Sequence, residues 1–228
     1  GGEDLKQKLP FHKTDLNVKI VDDIRPFKMI KVRILNGAHT AMVPVSLLFG
    51  NKLVMETVNG GFTGPFVDNV IAEISETLPM DKNEITAYAE EVMDRFRNPF
   101  IKHALADIAL NSISKFKVRV LPSLLGYYTT TKKLPTSLTF SLACLIQFYK
   151  GTWNNEALPV KDTPELVEAF KKAWELGNLE SVVAAVLANT DFWDEDLNKV
   201  EGLSQALVHA LNEIEANGIQ QGFLNFSK

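Results

Sequence analysis

Apolar residues recur at helical spacing along most of this chain. Between Phe27 and Phe49, residues Ile30, Ile34, Leu35, Ala38, Met42, Val45 and Leu48 follow a 3.6-residue repeat, with Pro26 ahead of them and Gly50 placed as a stop. Pro44 lies inside that run and lacks an amide donor, so it is expected to kink the helix or divide it. The stretch from Asn59 to Gly64 reads as a loop, and Pro65 suits the first turn of a helix reaching about Leu78. Asp81 and Glu84 have capping-box-like spacing for a helix to about Phe96, after which Asn98 and Pro99 punctuate the next start. Further helices are expected over 99–113, 121–129, 136–149, 164–176, 179–189 and 203–216. Thr163 serves as an N-terminal cap and Gly218 as a C-terminal one. Val18, Ile20 and Val21 make the one convincing strand pattern. The pattern thus predicts a mainly α, multihelical domain over 25–228, behind a polar lead-in with a short strand over 1–24.

Composition narrows this reading. The 228 residues are 46% hydrophobic and 23% charged, enough apolar material for one large core. The net charge is −4, with Lys and Arg interspersed among acids, so nucleic acid is not an expected partner. Cys144 stands in the apolar run TFSLACLIQF and reads as a buried small hydrophobe. No apolar segment approaches the roughly 20 residues that span a bilayer, and no secretory leader pattern opens the chain. No membrane association and a cytoplasmic location are therefore expected. No Cys/His cluster has ligand spacing, so no metal is expected. No GxGxxG follows a strand, and Gly60, Gly61 and Gly64 have the wrong spacing for a phosphate loop. The start Gly1, Gly2, Glu3, Asp4, without Met, reads as a cut from something longer or as a cloning scar.

The segment KVRILNGAHT carries the candidate chemistry. On an α-helix at about 100° per residue, Asn36 lies roughly 140° and His39 roughly 80° around from Lys31, so the three fit one broad face, with Arg33 and Thr40 projecting away from it. Leu35, Ala38 and Met42 share that face, and burial among them would favour the neutral amine of Lys31. A proton-exchanging Lys beside an amide and an imidazole suits proton transfer at a carbinol, with hydrogen bonds to its oxygen. The plainer alternative is that Lys31 snorkels to solvent, Asn36 bonds locally to backbone and His39 is a satisfied interfacial histidine.

The Lys, Asn, His spacing in KVRILNGAHTAMVPV resembles the signature of the mannitol dehydrogenase family of polyol dehydrogenases. Together with RFRNPFIKH and NSISKFKVRVLPSL, it is most similar to the tagaturonate reductase branch of that family. The resemblance covers essentially the whole chain. It implies a helical C-terminal substrate domain that works with an N-terminal Rossmann-type domain, here absent, which would carry most of the NAD-binding determinants. It further implies Lys31 as general acid/base, Asn36 and His39 as groups polarising the substrate oxygen, and a small sugar acid as substrate. A sister activity, fructuronate reductase or mannitol dehydrogenase, is the nearest alternative, and a catalytically silent helical interaction module is a further one. Without a positioned nicotinamide, the chain by itself is expected to be inactive.

Four more residues are candidates for holding the substrate. Arg95 is the first choice for gripping a carboxylate, against a surface ion pair with Glu91. Asn98 shares its helix end, and His103 either reaches the substrate or packs. Lys115, Lys117 and Arg119 alternate with Phe116, Val118 and Val120 as on an extended segment. Lys115 is kept as a candidate there, while Lys117 and Arg119 read as a solvated face.

Overall fold

The computed structural model describes residues 2–16 and 18–228, apart from the side chains of 2, 3 and 12. Gly1, on which part of the reading of the chain's start rests, lies outside the described residues. Fourteen α-helices are assigned among them: α1 (Gly2–Lys8), α2 (Arg25–Ile30), α3 (Gly37–Phe49), α4 (Val54–Asn59), α5 (Thr63–Ser75), α6 (Lys82–Phe96), α7 (Leu105–Ile108), α8 (Ser112–Arg119), α9 (Leu121–Thr131), α10 (Thr136–Phe148), α11 (Pro164–Trp174), α12 (Leu179–Ala188), α13 (Thr190–Trp193) and α14 (Leu203–Phe226). The predicted multihelical class is what forms.

Helix α10 is the axis of the core, with every residue from Ser137 to Phe148 buried. Cys144 is fully buried within it, and burial pushes its thiol well above the usual range, as suits an inert core residue. The Ser141 hydroxyl donates to the carbonyl of Ala41 at 2.7 Å and ties α10 to α3. Pro135 precedes α10 and has no side chain able to cap it. The Glu73 carboxylate, from the end of α5, instead accepts from the amides of Ser137 and Leu138 at 2.7 and 2.9 Å. Those amides are orphan donors of the first turn, and a carboxylate there also complements the helix dipole.

Caps read from sequence are present at Asp81, which accepts from the amides of Asn83 and Glu84, and at Thr163, which accepts from that of Leu166. Gly218 takes φ 74° and interrupts the helical backbone as a C-terminal stop does, but helix resumes beyond it to Phe226.

Several expectations are corrected. Val18, Ile20 and Val21 form no strand among the described residues, because a lone segment has no ladder to join. The sheet that forms is a hairpin of β1 (Thr152–Trp153) and β2 (Glu156–Ala157), turned by Asn154 and Asn155 at φ 51° and 64°. Pro44 does not divide its helix, since α3 continues through it. The irregularity comes earlier: Lys31–Asn36 is a π-helical turn joining α2 to α3. The run Arg25–Phe49 is, contrary to expectation, long and apolar enough to cross a membrane by length and composition. Its apolar window is 61% buried within the fold, which is how a core helix passes the same test.

The helix expected over 99–113 is also replaced. A loop runs from Asn98 to Ala104, held where the amide of Val54 donates to the carbonyl of His103 and that of Leu105 to Lys52. Asn111, at φ 52°, then separates α7 from α8. The alternating cations 115–120 lie on a helix and not on an extended segment: Lys115 and Arg119, four residues apart, share one face of α8.

Candidate functional site

The π turn places the predicted residues differently from a regular helix. Its wider repeat brings residues five apart toward the same side, so Asn36 lies closer to register with Lys31 than the 3.6-residue repeat implies. Such turns occur frequently at functional sites. Gly37 closes this one and lets α8 come close, since a Cβ there would stand 3.1 Å from the carbonyl oxygen of Arg119 and 3.3 Å from the Cδ1 of Ile74.

Lys31 lines an open groove of about 490 Å³ with Phe27, Ile30, Tyr88, Glu91 and Arg95. Lys31 is exposed, so the apolar burial expected to favour its neutral form is not supplied by this chain. Burial raises the phenol of Tyr88, another lining residue, with Arg95 lowering it and Glu91 raising it.

A pocket of about 180 Å³ adjoins the groove, lined by Leu35, His39, Val54, Arg95, Phe96, Ile101 and His103. Arg95 lines both spaces and joins them. The His39 ring stacks on Phe96 at 4.2 Å between centroids and meets His103 edge-on at 5.1 Å. Its Nε2 is buried without a protein partner among the described residues. Burial, then the charges of His103 and Arg119, lower His39 to a pKa of about 4, so near neutral pH it is an uncharged imidazole.

The sequence candidates therefore separate into groups. Lys31 and Arg95 share the groove, while His39, His103 and Arg95 share the pocket. Asn36 is half-buried on the π turn and stands among the lining residues of neither space; its carbonyl accepts from the Thr40 hydroxyl at 2.8 Å. Asn98 is used locally, its side chain accepting from the amide of Phe100 at 3.0 Å. Arg95 makes the i,i+4 ion pair with Glu91 at 3.4 Å that was its plainer alternative. Lys115 is half-buried and donates to the carbonyl of Ile108 at 3.0 Å; burial, then Arg119, lower its ammonium, and Asp162 partly opposes them.

Lys117 and Arg119, both expected on a solvated face, are both half-buried. Lys117 pairs with Asp194 at 2.9 Å. Arg119 donates to the Thr40 hydroxyl at 3.4 Å and places positive charge near His39. Sequence reasoning missed it by reading an extended segment; the i,i+4 spacing of Lys115 and Arg119 was the available signal. Arg33 was likewise passed over; its Nη1 is buried without a protein partner among the described residues, and its side chain lines a depression with Arg25, Lys28, Met29, Val32, Val118 and Pro122.

Residues 23–215 match the family described as mannitol dehydrogenase C-terminal domain. The chain belongs to this family. It is 42% identical over 227 residues to an altronate oxidoreductase of Pectobacterium atrosepticum, covering 95% of this chain and 46% of that protein. An altronate oxidoreductase of Escherichia coli O7:K1 is 42% identical over 228 residues, covering 97% of this chain and 47% of that protein. The chain thus spans about half the length of the curated relatives it matches. Its fold resembles that of Pseudomonas fluorescens mannitol 2-dehydrogenase, solved with NAD and D-mannitol, with a TM-score of 0.79 at 20% identity over 93% of this chain and 43% of that one. A D-sorbitol dehydrogenase in substrate-free form gives 0.75 at 17% identity over 90% of this chain and 42% of that one.

Proposed function

We propose that the chain is the substrate-binding, acid/base half of an NAD-dependent oxidoreductase that interconverts D-tagaturonate and D-altronate. The observation that carries this reading is the π turn, which sets Lys31 on an open groove, two helical turns before a neutral His39 whose Nε2 has no protein partner among the described residues. The names of the two altronate oxidoreductases supply the substrate.

A nicotinamide cofactor supplies or accepts the hydride when bound. Among the described residues no glycine-rich turn leads from a strand into a helix, as holding its pyrophosphate would require, so those determinants are assigned to the part of the relatives that this chain does not span. The exposure of Lys31 fits a site completed from outside this chain. In the reducing direction, protonated Lys31 gives its proton to the oxygen of the forming carbinol, while the Asn36 amide and His39 stabilise that oxygen by hydrogen bonds. Oxidation reverses the transfer, with neutral Lys31 taking the proton. Arg95 and His103, which line the adjoining pocket, hold the rest of the sugar acid together with Lys115 of α8, with Asn98 supporting the loop that bears His103.

The test joins the first half of the Pectobacterium protein to this chain and follows NADH oxidation with tagaturonate, fructuronate and fructose. Preference for tagaturonate is expected, with Lys31→Ala lowering kcat by roughly 100-fold or more, the usual weight of general acid/base catalysis. Preference for fructuronate or fructose would assign a sister activity, and no turnover with any of the three would favour a silent interaction module.

A further inference from the structure

We infer that Arg119 is the specificity residue that holds the carboxylate of a sugar acid at this site, so that the chain distinguishes an acid sugar from a neutral one. The inference rests on the proposed function for the identity of the acid and on the geometry of α8 for the residue.

Two cations lie on one face of α8, four residues apart, both half-buried. Among the described residues neither forms an ion pair with a carboxylate: Lys115 is occupied by the carbonyl of Ile108, and Arg119 by the Thr40 hydroxyl alone. A guanidinium has five N–H donors in a planar fork, so one long bond to a hydroxyl leaves most of them unused. Partly desolvating a cation without pairing it is unfavourable, which a bound anion would reverse.

The position of Arg119 is fixed from behind. Its carbonyl oxygen abuts Gly37, and Thr40, its side-chain partner, bonds back to the carbonyl of Asn36. The residue is therefore anchored to the segment that carries Asn36 and His39, and its charge reaches His39. Arg95, the other candidate, is exposed and already paired with Glu91. A carboxylate on Arg95 must displace an existing partner, whereas one on Arg119 adds the partner that is missing.

The test uses this chain itself, with NMR signals of the His39 and His103 rings read during titration with altronate and with the neutral alditol altritol. Altronate is expected to bind roughly 10- to 100-fold more tightly, the worth of hydrogen bonds to a charged group. Arg119→Met should bring altronate down to the level of altritol and raise the pH at which His39 titrates, while Arg95→Met keeps the preference. If Arg119→Met does not fold, Arg119→Lys decides, because it keeps the charge, loses the fork and should lower altronate affinity several-fold. Retained preference in the Arg119 variants, loss of preference in Arg95→Met, or no altronate binding by the unaltered chain would each overturn the inference. Binding is read without turnover, so a chimera inactive in NADH oxidation beside an intact, Arg119-dependent preference would reject the redox reading and leave this one standing.

Discussion

The carbonyl oxygen of Arg119 lies 3.1 Å from where a Cβ on Gly37 would stand, so the absence of a side chain at residue 37 sets the distance between α8 and the π turn. Gly37→Ala should have two opposed effects. Removing glycine from a helical position gains about 1 kcal/mol in propensity, while crowding both the Arg119 carbonyl and the buried Ile74 costs about 1–3 kcal/mol. Overpacking wins. Urea unfolding should show a net loss of about 1 kcal/mol, and a gain would mean that α8 can retreat freely.

The contrast between Gly37 and Leu35 shows what sequence could convey. Leu35, Ala38 and Met42 announce a helix by their spacing, because burial of one face is a periodic signal. The π turn leaves no such periodic signal, so the spacing places Lys31, Asn36 and His39 on one helical segment but sets their angles for the wrong helix. His103 was named as a candidate without its partner, since its contact with His39 depends on backbone bonds to the Lys52–Val54 segment about fifty residues earlier. The family resemblance named the residues of the π turn. It did not point to Arg119, whose importance depends on α8 being a helix.

Glu73 illustrates a long-range cap that can be removed cleanly. It is half-buried, and burial raises its carboxyl even though the amides of Ser137 and Leu138 oppose that shift. Glu73→Ala leaves those amides without an acceptor at the head of the central helix, at a cost of about 1–3 kcal/mol. Thermal unfolding should show a lower Tm. Glu73→Gln, which keeps an accepting oxygen, should recover part of the loss. Equal loss in both variants would point to packing instead of capping.

Arg33 tests the cost of a cation with a buried, unpaired nitrogen. Burial lowers its guanidinium, and it lines a shallow depression with Met29, Val32, Val118 and Pro122, which suit a hydrophobic side chain, and with Arg25 and Lys28, which repel a third cation. The group is only partly buried, so the relief is small. Arg33→Met should leave the chain as stable as before or more stable by up to about 1 kcal/mol, as replacing unpaired buried polarity does elsewhere. A loss beyond that in chemical denaturation would show that Arg33 has a stabilising partner in solution.

His39 sets a pH window. Its folded pKa of about 4 lies below the ordinary value of 6.5, chiefly because the ring is buried against Phe96 and secondarily through electrostatic repulsion from His103 and Arg119. The unfolded chain therefore binds the proton first as pH falls, and protonation favours unfolding. The stability that neutral His39 contributes is complete above about pH 6.5, declines between pH 6.5 and 4, and changes no further below the folded pKa. A difference of roughly 2.5 units corresponds to about 3 kcal/mol over the window. Urea unfolding measured from pH 7 to 4 should lose stability on that scale. His39→Gln should flatten the curve there, whatever its effect at pH 7. Phe96→Ala admits water to the ring and should move its NMR-detected titration upward, narrowing the window. Equal slopes for the unaltered chain and His39→Gln would show that other groups govern the acid limb and that His39 is not held neutral by its surroundings.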